Sequence, residues 1–119
     1  METIKSGANS ASFSEDRGRL LENAVFLELR RKHRNVFYYR EKNECDFVIK
    51  EKNRITAAVQ VCYELTEDNK ERELNGLLDA LKEFNLPGGL ILTFDQEDHF
   101  TLDGKKITVT PAWKWMNGH

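Results

Sequence analysis

The sequence predicts an α/β domain with a mixed central β-sheet flanked by helices, and three observations lead to that reading. Residues 17–34 and 66–85 space their apolar side chains at the 3.6-residue period of amphipathic helices. Between and after these stretches lie short runs rich in β-branched and aromatic residues, each bounded by polar turn residues. Residues 90–94, "LILTF", are apolar but for Thr93, as in a central strand covered on both faces. A strand meander, a crossover helix and then a buried strand is a mixed-sheet order.

The elements follow in turn. Residues 1–12, small and polar without periodicity, read as a flexible linker or remnant, and the domain is expected over 13–119. In the first helix Leu20, Ala24 and Leu27 form an i, i+4, i+7 row, with Leu21, Val25 and Leu29 beside it. Arg30, Arg31, Lys32 and Arg34 close the helix, where cations complement its dipole. On the helical wheel Glu22 falls between Phe26 and Leu29, and Glu28 between Leu21 and Ala24. A carboxylate within an apolar arc is costly unless it is paired, hydrogen-bonded or bound to a metal.

Three strands are expected over 36–40, 46–50 and 56–65, the last two joined by a hairpin at "EKNR". Asp46, Val48 and Lys50 share one strand face and Phe47 and Ile49 the other, so an acid opens the second strand. On the third strand Gln60, Cys62 and Glu64 share a face. The second helix carries Leu74, Leu77, Leu78, Leu81 and Phe84 at core spacing, with Thr66 or Asp68 as its cap and "LPGG" as its stop. A hairpin is expected at Asp103-Gly104, a pair suited to a type I′ turn. Trp113 and Trp115 alternate as strand residues do.

Composition narrows the function. With 119 residues the chain is long enough for one core, and a net charge of −2 argues against a strongly basic nucleic-acid binder. No apolar run reaches membrane-spanning length, and the N-terminus lacks a signal-peptide layout. Two cysteines give no disulfide framework, which suggests a reducing, cytoplasmic setting. His33, His99 and His119 lack metal-ligand spacing, and Asp95, Glu97, Asp98 and His99 read as a solvent loop.

The polar anomalies converge on one place. If the second and third strands pair, Asp46 lies beside Gln60 and Cys62. Oxygen ligands from adjacent strands suit a hard cation such as Mg²⁺, and a residue two positions on can hold a water or steady a phosphate.

In order along the chain, "GRLLENAVFLELRR", "ECDFVI", "AAVQVCYEL" and "PAWKW" resemble the PD-(D/E)XK, or restriction-endonuclease-like, superfamily. Within it the chain is similar to the domain that follows the ATPase module in many predicted prokaryotic AAA-type ATPases. The resemblance implies a restriction-endonuclease-like fold, a Mg²⁺-dependent DNA phosphodiesterase ancestry and an ATPase module in the same parent chain. It matches Glu22 to the helix glutamate and Asp46 to the motif aspartate as metal ligands, and puts Gln60 in the acidic slot. Cys62 stands where the motif lysine belongs, and a neutral thiol supplies neither positive charge nor a good Mg²⁺ ligand. Lys70, opening the second helix, is the candidate for a displaced lysine, and Glu64 for a late carboxylate. Weakened or lost activity is the expectation, with a non-catalytic nucleic-acid-binding or protein-interaction module as the alternative. Without the resemblance, Glu22 reads as an arginine partner, Asp46 as a turn residue, and Gln60 and Cys62 as sheet and core positions.

Overall fold

The computed structural model describes residues 10–33, 35–40 and 44–118. Their order is α1 (Ser10–Lys32), β1 (Asn35–Arg40), β2 (Glu44–Glu51), β3 (Arg54–Val61), α2 (Lys70–Glu83), β4 (Gly88–Thr93), β5 (Asp98–Leu102), β6 (Lys105–Pro111) and α3 (Ala112–Gly118). Residues 1–9, Arg34, 41–43 and His119 lie outside the described residues, whereas Ser10 to Ser12, expected in the linker, open α1.

The strands form one mixed six-stranded sheet in the order β1-β2-β3-β4-β6-β5. β1, β2 and β3 are antiparallel neighbours, β3 runs parallel to β4 and β4 to β6, and β5 closes the edge antiparallel to β6. The tight turns follow their residues. Lys52 and Asn53 between β2 and β3, and Asp103 and Gly104 between β5 and β6, all take positive φ, the conformation a two-residue type I′ hairpin requires.

Side-chain alternation divides the core into two layers. Val48 and Ala58 face α2 and pack with Leu74, Leu77, Leu81, Ile91, Ile107 and Val109. On the other face Phe47, Ile49, Val59, Val61 and Leu92 pack with Val25 and Leu29 of α1 and with Ala112 of α3. Gly89 allows α2 to close on β4, because a Cβ there would stand 2.9 Å from Leu77 Cδ1.

Two expectations are corrected. Leu20 and Leu27 are 69% and 67% exposed, and α1 instead buries Val25 and Leu29, with Leu21 and Phe26 at the margin. Both rows are apolar, but a helix lying on one sheet can bury only one side. Trp113 and Trp115 belong to α3 rather than to a strand, with Trp113 exposed and Trp115 packed on the α1 layer. None of the described helices is long and apolar enough to cross a membrane.

Candidate functional site

The candidate site lies where β2 and β3 part. Their ladder ends at the pair Phe47–Val59, although β2 runs on alongside β1 to Glu44 and β3 alongside β4 to Val61. Each strand leaves a backbone donor without its ladder partner at this fork, and a side chain from the other strand satisfies it. Asp46 N–H donates to Gln60 Oε1 at 3.0 Å, and Val61 N–H donates to Asp46 Oδ2 at 2.8 Å. Two crossed side chains thus continue the ladder.

The other end of the Gln60 amide reaches α2, where its Nε2 donates to Glu73 Oε1 at 2.8 Å. Glu73 also pairs with Arg72, whose Nη2 lies 3.3 Å from Oε2. Gln60 is 5% exposed and the Glu73 side chain 13%, so the network sits below the surface, where satisfied polar groups add rigidity. Glu73 was missed by sequence reasoning because α2 carries many charges. Its signal was there, since Glu73, Leu77 and Ala80 form an i, i+4, i+7 row whose other members are fully buried.

Cys62 follows on the same face. Its thiol donates to the Glu64 carbonyl at 3.3 Å, and Asn69 Nδ2 lies 3.7 Å from its sulfur. Burial, and then the Glu73 carboxylate, push the Cys62 thiol up to about 12, so it stays neutral at physiological pH. Cys45, 1% exposed beside the fork, is likewise pushed up to about 12, chiefly by burial.

The structure brings Asp46, Gln60 and Cys62 to one side of the fork. Glu22 comes from α1, which packs on the opposite face of the sheet from α2. Lys70 turns to Phe100, with its Nζ 4.8 Å from the ring centroid. Its ammonium is therefore engaged in a cation–π contact. Glu64 is exposed in the loop that follows β3.

The donor set also fails to suit a hard divalent cation. Gln60 directs its carbonyl oxygen at a backbone N–H and its NH₂ at a carboxylate, so its uncharged amide is oriented by those two bonds rather than towards a cation. One Asp46 oxygen accepts from Val61, and the neutral thiol of Cys62 is a poor ligand for Mg²⁺. Among the described residues no three His, Cys, Asp or Glu side chains gather as a metal site.

A family model described as a domain of unknown function, DUF4143, matches residues 17–115, which include both halves of the fork. The chain belongs to the DUF4143 family. The domain is also 44% identical over 117 residues to the uncharacterized protein MJ1544 of Methanocaldococcus jannaschii, covering 89% of this chain and 26% of the relative. This DUF4143 chain therefore spans about a quarter of the length of that relative.

Proposed function

We propose that this DUF4143 domain is a non-catalytic interaction module of PD-(D/E)XK, restriction-endonuclease-like lineage, acting beside an ATPase module of a longer polypeptide. The observation that carries the reading is the Gln60 amide, held between Asp46 N–H and the Glu73 carboxylate. Phosphodiester cleavage of this lineage needs a bound cation and a positive charge aimed at the phosphate. Here the acidic slot holds an amide bonded at both ends, the lysine slot holds a neutral thiol, and Lys70 contacts Phe100. The fork then works as a structural joint that ties β2, β3 and α2 together.

Two further observations support a role in docking. Leu20 and Leu27 present an apolar row on the outer side of α1, a surface of the kind used for contact with a neighbouring domain. The M. jannaschii relative extends far beyond the aligned stretch, leaving room for other modules in its chain.

Incubation of supercoiled plasmid with Mg²⁺ or Mn²⁺ tests the loss of catalysis, with Asp46→Asn as the comparison. Asparagine keeps an acceptor for Val61 N–H while removing the carboxylate. Equal background nicking by both proteins is the expected result. Metal-dependent cutting that Asp46→Asn abolishes would overturn the proposal.

A further inference from the structure

We infer that the end of the domain opposite the fork is a docking groove for a protein segment carrying apolar residues next to acidic ones. The inference rests on the interaction-module reading and concerns a surface that the fork does not touch.

The charges of the domain separate along β3. At its N-terminal end stand Lys50, Lys52 and Arg54 of the β2–β3 hairpin, joined by Lys32 from the last turn of α1. Beyond its C-terminal end exposed Glu67, Asp68 and Glu71 around the start of α2, and Asp95, Glu97 and Asp98 around the β4–β5 loop, outnumber the cations Lys70, Arg72 and Lys114 beside them. At about 3.3 Å per residue, the eight-residue strand β3 holds these ends roughly 23 Å apart. In a chain of net charge −2, the positive end is thus a local feature that overall charge conceals.

The positive end is also concave. Two adjoining hollows of about 590 and about 710 Å³ share His33, Glu51 and Thr56 as a common wall. The larger is lined by the four cations, and its one acid among the described residues, Glu51, pairs with His33 at 2.9 Å. The smaller continues over the sheet between α1 and α3, with Leu29, Ile49, Leu90 and Trp115 around Ala57. An apolar trough leading into a cationic mouth complements a segment whose apolar side chains precede or follow a short acidic run.

Nucleic acid matches this surface less well. The trough walls are mainly aliphatic rather than exposed aromatic platforms for bases, and Lys106 is the one Lys or Arg lining it among the described residues. Among the described residues a phosphate backbone would meet a cluster of cations at the mouth but a single lysine along the trough.

Fluorescence anisotropy on the full chain tests the inference. The probe is a labelled peptide of about twelve residues, with leucines and phenylalanines in one half and aspartates in the other. Two variants address the two halves of the groove: Lys50→Glu with Arg54→Glu at the mouth, and Thr108→Arg, which projects a long side chain into the trough. Saturable micromolar binding is expected, weakening with salt and falling about tenfold or more in each variant. Circular dichroism of both variants checks that the fold is kept. Replacing the peptide aspartates by lysines is expected to abolish binding. Absence of saturable binding, or binding that neither variant alters, overturns the inference. So does tighter binding of a labelled DNA duplex of about twenty base pairs that the mouth variant abolishes, which would reassign the groove to nucleic acid. Failure here leaves the plasmid result at Asp46 standing, so the two readings fail separately.

Discussion

Asp46→Ala is expected to lower the unfolding free energy by about 2–3 kcal/mol, and Asp46→Asn by about 1 kcal/mol. The difference comes from one donor. Val61 is 8% exposed, and its N–H has the Asp46 carboxylate as its partner where the β2–β3 ladder has ended. Alanine leaves that donor buried without an acceptor and removes a charge-assisted bond. Asparagine still presents a carbonyl oxygen, so it loses the charge but keeps the geometry. Urea denaturation of the three proteins checks the order, with unchanged slopes indicating that stability rather than compactness has moved. A catalytic carboxylate held mainly for a metal would behave differently, since its removal often leaves stability unchanged or raised.

Gln60→Glu is the second large effect, and it depends on pH. The substitution puts an acid where the resemblance to the PD-(D/E)XK superfamily leads one to expect it, yet it sets a second carboxylate against Glu73. It also replaces the NH₂ that now donates to Glu73 Oε1. At neutral pH the two like charges and the lost bond are expected to cost about 2–4 kcal/mol. The sign with pH follows from linkage. One carboxyl of the folded pair holds its proton more tightly than in the unfolded chain, so its folded pKa is raised. The stability it contributes is present below the unfolded carboxylate pKa and is lost as pH rises through the folded one. The variant therefore approaches the parent in stability under mildly acidic conditions and falls behind towards neutral pH. Thermal melting over that range checks this, and a pH-independent difference would contradict it.

How far the sequence foretold this molecule varies with the kind of signal. The hairpins were legible because Lys52-Asn53 and Asp103-Gly104 are local, each pair taking the positive φ that its turn needs. The central position of β4 was legible too, because "LILTF" is apolar on both faces. The buried side of α1 was less so. Leu20, Ala24 and Leu27 are as periodic as Val25 and Leu29, and only the sheet decides which row it covers. The tryptophans misled because two residues in alternation fit a strand as well as a short helix.

At the fork, pairing by alternation placed Asp46 beside Gln60, but not the way their side chains cross to cap each other's strand. That depends on where the ladder stops, a tertiary property of three strands. Glu73 was hidden for the opposite reason, since a single acid on a charged helix looks solvated until the row through Leu77 and Ala80 is followed. With Glu73 included, Gln60 changes from a weak metal ligand into the centre of a closed hydrogen-bond network.

On the proposed reading the fork is closed by its own hydrogen bonds rather than by a divalent cation. The most direct test is a Mn²⁺ titration followed by the backbone amide resonances of Asp46 and Val61 and the side-chain amide of Gln60. A bound paramagnetic ion at the fork would broaden these three signals first. The predicted result is that they broaden no sooner than amides elsewhere in the sheet. Selective loss of these signals at low Mn²⁺, restored in Asp46→Asn, would contradict it.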